Sequence, residues 1–264
     1  MSPAAFTWQS LRAALPALVG LGLIVLQGCA MSPNANPRDP WEPFNRQVAS
    51  FNDGLDEVVV KPVATVYEHV TPPFVRTGVY NFFGNIADLW SLANNILQIK
   101  PKESVETFFR VGVNTTLGLA GLIDVATELR LERHKEDFGQ TLGYWGVPTG
   151  PYVVLPLLGP STLRDSLAVP VDSRGDVVAG MNDVAGRNAL MTLRLVDLRA
   201  TLLGAGKLLE AAALDKYSFT RDAYLQRRRG QVREEPGTSG APSEERFDLP
   251  EPDKIPPAIQ KPPP

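Results

Sequence analysis

The chain has 264 residues, 44% of them apolar and 21% charged, with a formal net charge of −3, two histidines and one cysteine. That length and apolar content suffice for a buried core without disulfides, and so few cysteines and histidines leave little for metal or nucleophilic chemistry. With the two ends set aside, the remaining body is within about one charge of neutral, which offers no electrostatic footprint for nucleic acid.

Residues 13–26 read AALPALVGLGLIVL. This run is short of the ~20 residues that span a bilayer and suits the apolar centre of a secretory signal. Leu26-Gln27-Gly28-Cys29 follows and resembles a lipobox, the bacterial site at which a cysteine is lipidated and becomes the new amino terminus. Residues 1–28 are therefore expected to be a signal peptide, Cys29 the lipidated residue, and the stretch to residue 38 a linker reaching ~30 Å at most. Two acyl chains, at roughly 0.8 kcal/mol per buried methylene, make such an anchor stable. Ala30 in place of an aspartate points to the outer membrane of a Gram-negative cell.

The folded domain is expected over 39–230, and its pattern is helical. After Pro43, the residues Phe44, Val48, Phe51, Leu55 and Val58 or Val59 recur at intervals of three and four, which predicts a helix ending at Val60 or Lys61, before Pro62. Phe51 is either core or a packing residue that sets the shape of an interior passage. A short helical piece over 63–71 leads to Pro72-Pro73. From Gly78 to Ile99 the apolar residues cover an arc of roughly 140°, with Asn81, Asn85, Asp88 and Asn95 on the opposite side. Faces turned to bulk water are usually rich in Lys and Glu, and this one is mostly amide. Either the amides satisfy buried groups in a bundle, or they line a polar passage while the apolar arc faces lipid or other helices.

Residues 104–129 open with a possible cap at Ser104 and enter LGLAGLIDVA, too short to span a bilayer. No stretch beyond the signal reaches ~18 apolar residues, and no run of alternating strands suggests a barrel. The segment 139–160, GQTLGYWGVPTGPYVVLPLLGP, holds five glycines and four prolines. It reads as an apolar loop without regular helix, hinged at Gly143, Gly146 and Gly150. Helical spacing returns after Asp176 and runs to Leu209, accompanied by Arg187, Arg194, Arg199 and Lys207, a basic set able to meet phosphate headgroups or simply to face solvent. Arg227-Arg228-Arg229 fits the carboxyl end of a helix. From 231 to 264 there are nine prolines among scattered acidic residues, a composition that predicts a disordered tail.

Catalytic and phosphate-binding motifs are absent. Ser161, His134 and Asp165 make a hydrolase triad only on paper; His134, in the charged run RLERHKED, reads as a solvated surface histidine and His69 as structural. No catalytic residue, metal or cofactor is expected, apart from the covalent lipid on Cys29.

DPWEPFNRQVASFND (39–53), NFFGNI (81–86), VNTTLGLAGLIDVA (113–126) and FGQTLGYWGVPTGPYVVLPLLGPSTLRD (138–165) resemble the MlaA family, also called VacJ lipoproteins. The resemblance covers Asp39 to about Arg229. It implies an all-α fold in which amphipathic helices form a ring around a central polar channel in the outer membrane. The implied role is to take misplaced phospholipids from the outer leaflet and pass them to a soluble periplasmic carrier of MlaC type, with trimeric porins as neighbours. It favours the passage reading for Asn81, Asn85, Asp88 and Asn95. A structural envelope lipoprotein or porin scaffold, without transport, is the alternative.

Overall fold

The computed structural model describes residues 36–233, so the signal segment, Cys29 and the tail from 234 lie outside the described residues. Helix α1 (Glu42–Leu55) has Pro43 in its first turn, where a missing N–H goes unnoticed. The chain does not stop at Pro62 as predicted. A π-helical turn, Asp56–Val60, carries it into α2 (Lys61–Val70), so that Pro62 falls in the first turn of a new helix. The wider turn relocates the proline from an interior position, where it would break a hydrogen bond, to a start, where it does not.

Helix α3 (Pro73–Leu97) is the longest described element, and α4 (Pro101–Thr116) packs along it. Pro101 starts α4, so Ser104 is not its cap; the hydroxyl instead donates to Lys100 O inside the first turn. The apolar stretch after α4 is an exposed turn with Leu119, Ala120 and Gly121 all in the left-handed region. It ends in the one-turn helix α5 (Val125–Glu128), capped by Asp124. Asp124 also accepts both Nη2 bonds of Arg110 at 3.0 and 3.1 Å and an Asn114 amide bond at 3.0 Å, which fastens α5 to α4.

The segment expected to be a loop without helix is more ordered than its glycines and prolines suggest. It begins inside α6 (Phe138–Tyr144), capped by Asp137, and ends in a hairpin of β1 (Tyr152–Leu155) and β2 (Gly159–Thr162) in antiparallel register, Tyr152 opposite Thr162. The prolines lie at 148, 151, 156 and 160, so α6 has none, and in the hairpin only Pro160 falls within a strand. Helices α7 (Leu163–Gly175), α8 (Val184–Thr201), α9 (Leu203–Ala212) and α10 (Lys216–Arg233) follow, α10 passing the expected domain end at 230. The all-α expectation holds apart from this small sheet.

What the helices bury inverts the usual rule. Among the described residues, buried polar and charged side chains outnumber buried apolar ones by nearly two to one, while Phe, Val, Leu and Ile side chains cover the outside. On α1 part of the predicted apolar stripe faces out, Phe51 being 58% exposed, while Val48 packs on Tyr152, Val154 and Leu225 and Asn45 is fully buried. Phe51 is thus neither core nor cavity wall. No described helix is long and apolar enough to cross a membrane.

Asn45 and Asn52, two turns apart on α1, act as brackets for the hairpin. Asn45 Nδ2 donates to Tyr152 O at 3.1 Å while its Oδ1 accepts the Val154 N–H at 2.9 Å. Asn52 does the same at the tip, donating to Leu155 O at 3.0 Å and accepting from Leu157 N–H at 2.9 Å. Each amide side chain takes the place of a neighbouring strand's peptide group. Asn45 also donates to the buried Asp39, which accepts from Tyr217 Oη at 2.6 Å and so ties the start of the domain to α10. Asn45→Leu leaves the Val154 N–H, the Tyr152 carbonyl and Asp39 each short of a partner; the expected loss is about 3 kcal/mol, read as a lowered thermal midpoint in detergent.

Candidate functional site

The polar face of α3 holds neighbouring segments in place. Ser91 Oγ donates to Glu136 O at 3.3 Å and accepts the Glu136 N–H at 3.2 Å, clamping the connector between α5 and α6. Thr141 Oγ1 donates to Asn94 Oδ1 at 2.7 Å and accepts from Gln98 Nε2 at 2.9 Å, which docks α6. Asn85 donates to Thr115 Oγ1 at 2.9 Å, Asn81 to Leu122 O at 3.3 Å, and Asn95 to Ser91 O at 2.9 Å. Asn81 and Asn85 therefore serve packing, Asn95 bonds back to its own helix, and none of the three lies on the wall of the cavity that the fourth candidate, Asp88, helps to line.

That cavity, of about 580 Å³, opens between α3, the connector, α7, α8 and α10, a size usual for small-molecule sites. Asp88 Oδ1 accepts from Arg133 Nε at 2.8 Å. Gly84, one turn earlier, makes this possible: a Cβ there would meet an Arg133 nitrogen at 2.3 Å, so the guanidinium lies flat on bare helix backbone. Burial pushes the Asp88 carboxyl up even against Arg133.

Across the cavity Arg228 joins two carboxylates. Its Nε donates to Asp165 Oδ2 at 2.8 Å, and Nη1 and Nη2 donate to Asp137 Oδ2 and Oδ1 at 2.7 and 2.8 Å. Gly139 again supplies the room, since a Cβ there would lie 2.6 Å from Asp165 Oδ1 and 2.7 Å from Arg228 Nη2. Burial acts to raise the Asp165 carboxyl, but the hydrogen bond and charge of Arg228, with the charge of Arg164, overcome it and hold the group down at about 2. Asp137 is likewise held below the usual range by Arg228 against its burial. Asp172 behaves in the opposite way: burial pushes it up, opposed by the Phe138 N–H and the Trp90 indole, each 2.8 Å from Oδ1, and more weakly by the charge of Arg228.

Two further cavities adjoin. One of about 270 Å³ shares Ser161, Val169, Asp172 and Asp176 with the first, and one of about 620 Å³, under α1 and the hairpin, shares Leu158 and Pro160 with the second. Ser50 and Asn52, the neighbours of Phe51, line the last of these. The result is a chain of adjoining hollows whose largely apolar walls carry charged and polar side chains.

The other candidates fall as follows. Gly143 sits in α6, where a Cβ would meet Arg164 Nη1 at 2.6 Å, so close packing explains it; Gly146 and Gly150 have φ of +87° and +69°, which favours glycine at both. Ser161 and Asp165 line the cavity, but His134 pairs with Glu106 at 2.6 Å, so the paper triad does not assemble. Glu106, Glu132 and His134 bring ligand atoms within 4.8 Å of one another, off the cavity wall. His69 Nδ1 lies 2.7 Å from Thr65 O in its own helix. The basic set does not form one lipid-facing face, because Arg194 pairs with Asp176 at 2.6 Å and Arg199 with Asp56 at 2.7 Å. Arg228 is an interior ion rather than a helix-end charge. The sequence marks Arg228 only as one of a helix-end cluster and does not mark Arg133; glycines at 84 and 139, each beside a charged partner in space, are the available signal.

Arg228→Met strands Asp137 without a counter-ion and leaves Asp165 with Arg164 alone, and the expected cost is ~3–5 kcal/mol, measured by denaturation in detergent. Acid has a related effect. Asp165 and Asp124, both held at about 2, contribute their stability fully above the unfolded value of ~3.9 and lose it as pH falls through about 2. The thermal midpoint is therefore expected to drop between about pH 4 and pH 2, against an opposite contribution from Asp88 and Asp172 that fades as pH rises.

The family described as MlaA lipoprotein matches residues 37–231. A protein of Escherichia coli (strain K12), the intermembrane phospholipid transport system lipoprotein MlaA, is 37% identical over 223 residues, covering 79% of this chain and 85% of the relative. Its namesake in Haemophilus influenzae is 33% identical over 216 residues, covering 78% and 85%. Among solved structures, a chain from work on the structural basis for maintenance of bacterial outer membrane lipid asymmetry superposes with a TM-score of 0.64 at 34% identity, covering 74% of this chain and 98% of that one.

Proposed function

The chain belongs to the MlaA lipoprotein family, and from that premise we propose that it withdraws phospholipids misplaced in the outer leaflet of a Gram-negative outer membrane and hands them to a soluble periplasmic carrier of MlaC type, preserving lipid asymmetry. Intermembrane phospholipid transport is the work of its named relatives. On this reading Cys29 carries the anchoring lipid, and trimeric porins are neighbours in the same membrane.

One observation carries the reading: the charged cavity lies within a body whose outer surface is apolar. A phospholipid crossing a leaflet must move a charged headgroup through a medium in which an unpaired ion is expensive. A wall that holds fixed ion pairs and hydroxyls supplies hydrogen bonds along the way, and the acyl tails stay with the outer apolar surface. No covalent bond changes, so binding and orientation suffice. A bracing lipoprotein would need the anchor and the apolar coat but would gain nothing from an interior in which charges replace apolar packing, often a neutral or losing exchange for stability.

The test is outer-leaflet phospholipid, read as lipid A palmitoylation in cells lacking the protein. The deletion is expected to raise it and the wild-type chain to restore it. Arg133→Ala, expressed at the same level, is expected to restore less than half. No rise on deletion, with a weakened envelope, would instead favour the bracing role.

A further inference from the structure

Pairing the charges of the first cavity within the protein leaves four uncommitted. Asp88 is taken by Arg133, Asp137 and Asp165 by Arg228, Asp176 by Arg194 and Glu136 by Lys100. Asp172 and Asp197 have neutral donors only: the Trp90 indole and Phe138 N–H for Asp172, and the Tyr67 hydroxyl at 2.9 Å for Asp197. In both carboxylates the protein's bonds go to Oδ1 and leave Oδ2 without a hydrogen-bond partner. Arg76 acts on Asp197 only through space and makes its own contact with Glu68 at 3.5 Å. On the cationic side, Lys135 and Arg227 reach no carboxylate among the described residues; the Arg227 guanidinium rests 5.7 Å over the Tyr224 ring.

Depth sorts the four. Lys135 and Arg227 are exposed, Asp172 is half-buried and Asp197 is buried. In a phospholipid the order is tails, glycerol, phosphate and then the headgroup alcohol, so a headgroup entering first keeps its phosphate nearer the mouth than its terminal group. We propose that this cavity sorts phospholipids by headgroup: it seats an amine-terminated, zwitterionic headgroup with the ammonium against Asp172 and Asp197 and the phosphate at Lys135 and Arg227.

An anionic lipid ending in a neutral polyol finds the same cations for its phosphate and two carboxylates with no cation in contact. Burial pushes both carboxyls up, opposed by the neutral donors and, through space only, by Arg228 for Asp172 and Arg76 for Asp197. An ammonium would supply the missing stabilisation of the ionised form. Phe83, Ile86, Val169 and Leu198 on the same wall suit the glycerol end and the first methylenes.

The inference rests on the transport reading, and one experiment separates the two. Full-length protein in detergent is mixed with vesicles of equimolar phosphatidylethanolamine and phosphatidylglycerol, re-isolated, and its bound lipid is weighed by native mass spectrometry. The wild type is expected to enrich the ethanolamine lipid about tenfold, which corresponds to ~1.4 kcal/mol. Asp172→Asn with Asp197→Asn, which keeps both Oδ1 acceptors, is expected to bring the ratio close to one at an unchanged thermal midpoint. If that double variant does not fold, Asp172→Asn alone is expected to lower the ratio about threefold. Lys135→Ala with Arg227→Ala is expected to reduce capture of both lipids. Equal capture by the wild type, a preference for the glycerol headgroup, or tenfold enrichment surviving in the aspartate variants would overturn the sorting. Capture of neither lipid would overturn the transport reading and the sorting with it.

Discussion

Arg228 is held between Asp165 and Asp137, its side chain only 7% exposed, and this ion triad fixes where the last helix meets the rest. Asp137 caps α6 and Asp165 lies in the first turn of α7, so one guanidinium from α10 joins three elements far apart in sequence. Taking three charges out of water is costly, and the arrangement holds only because all of its strong donors and acceptors are matched. Gly139 leaves the space in which they meet, and Tyr224 adds a fourth bond at 3.0 Å to Asp165. A cavity bordered by such a triad is rigid on that side, which is what a fixed polar surface for a passing headgroup requires.

The same logic recurs around the molecule. Arg110 and Asp124 fasten α5 to α4, Asp39 fastens the domain's start to α10, and two asparagines of α1 hold the hairpin. In a protein surrounded by water the hydrophobic effect would assemble the helices and the polar groups would turn outward. Here exposed Phe, Val and Leu gain nothing from packing together if lipid surrounds them, so directional bonds between buried polar groups take over the work of specifying contacts. The small apolar clusters, such as Ala64 with Ala200 and Leu203, sit where helices approach closely.

Function follows from this inversion. The interior is polar because the cargo is polar at one end, and the exterior is apolar because the cargo is apolar at the other. Three adjoining hollows run from α3 past α7 to the space beneath α1. The hairpin tip, with Leu157 and Leu158 exposed, borders the second and third of them. Its position is set by Asn52 at the tip and Asn45 at the base, so a helix that looks merely amphipathic is also what aims the hairpin.

Much was legible in the residues alone. Periodicity located α1, α3 and the helices after Asp176, because the 3.6-residue repeat is a local property of the chain, and the amide stripe on α3 announced an interior unlike that of a soluble bundle. The direction in which each face points is not local. Only the fold shows that Phe51 is outside and Asn45 inside, and that Asn81 and Asn85 tie α3 to α4 and the turn after it, Asn95 bonds within α3, and Asp88 alone of that set reaches the cavity. The glycines and prolines of 139–160 read as a loop because their spacing relative to a helix and a hairpin depends on contacts with α1 and α7. Arg228, Asp137 and Asp165 stand far apart in the chain, and no spacing rule connects them. The sequence by itself determined which segments are helical and that polar residues would be at a premium inside; tertiary structure decided which charges meet, because ion pairs form across space and leave no period in the chain.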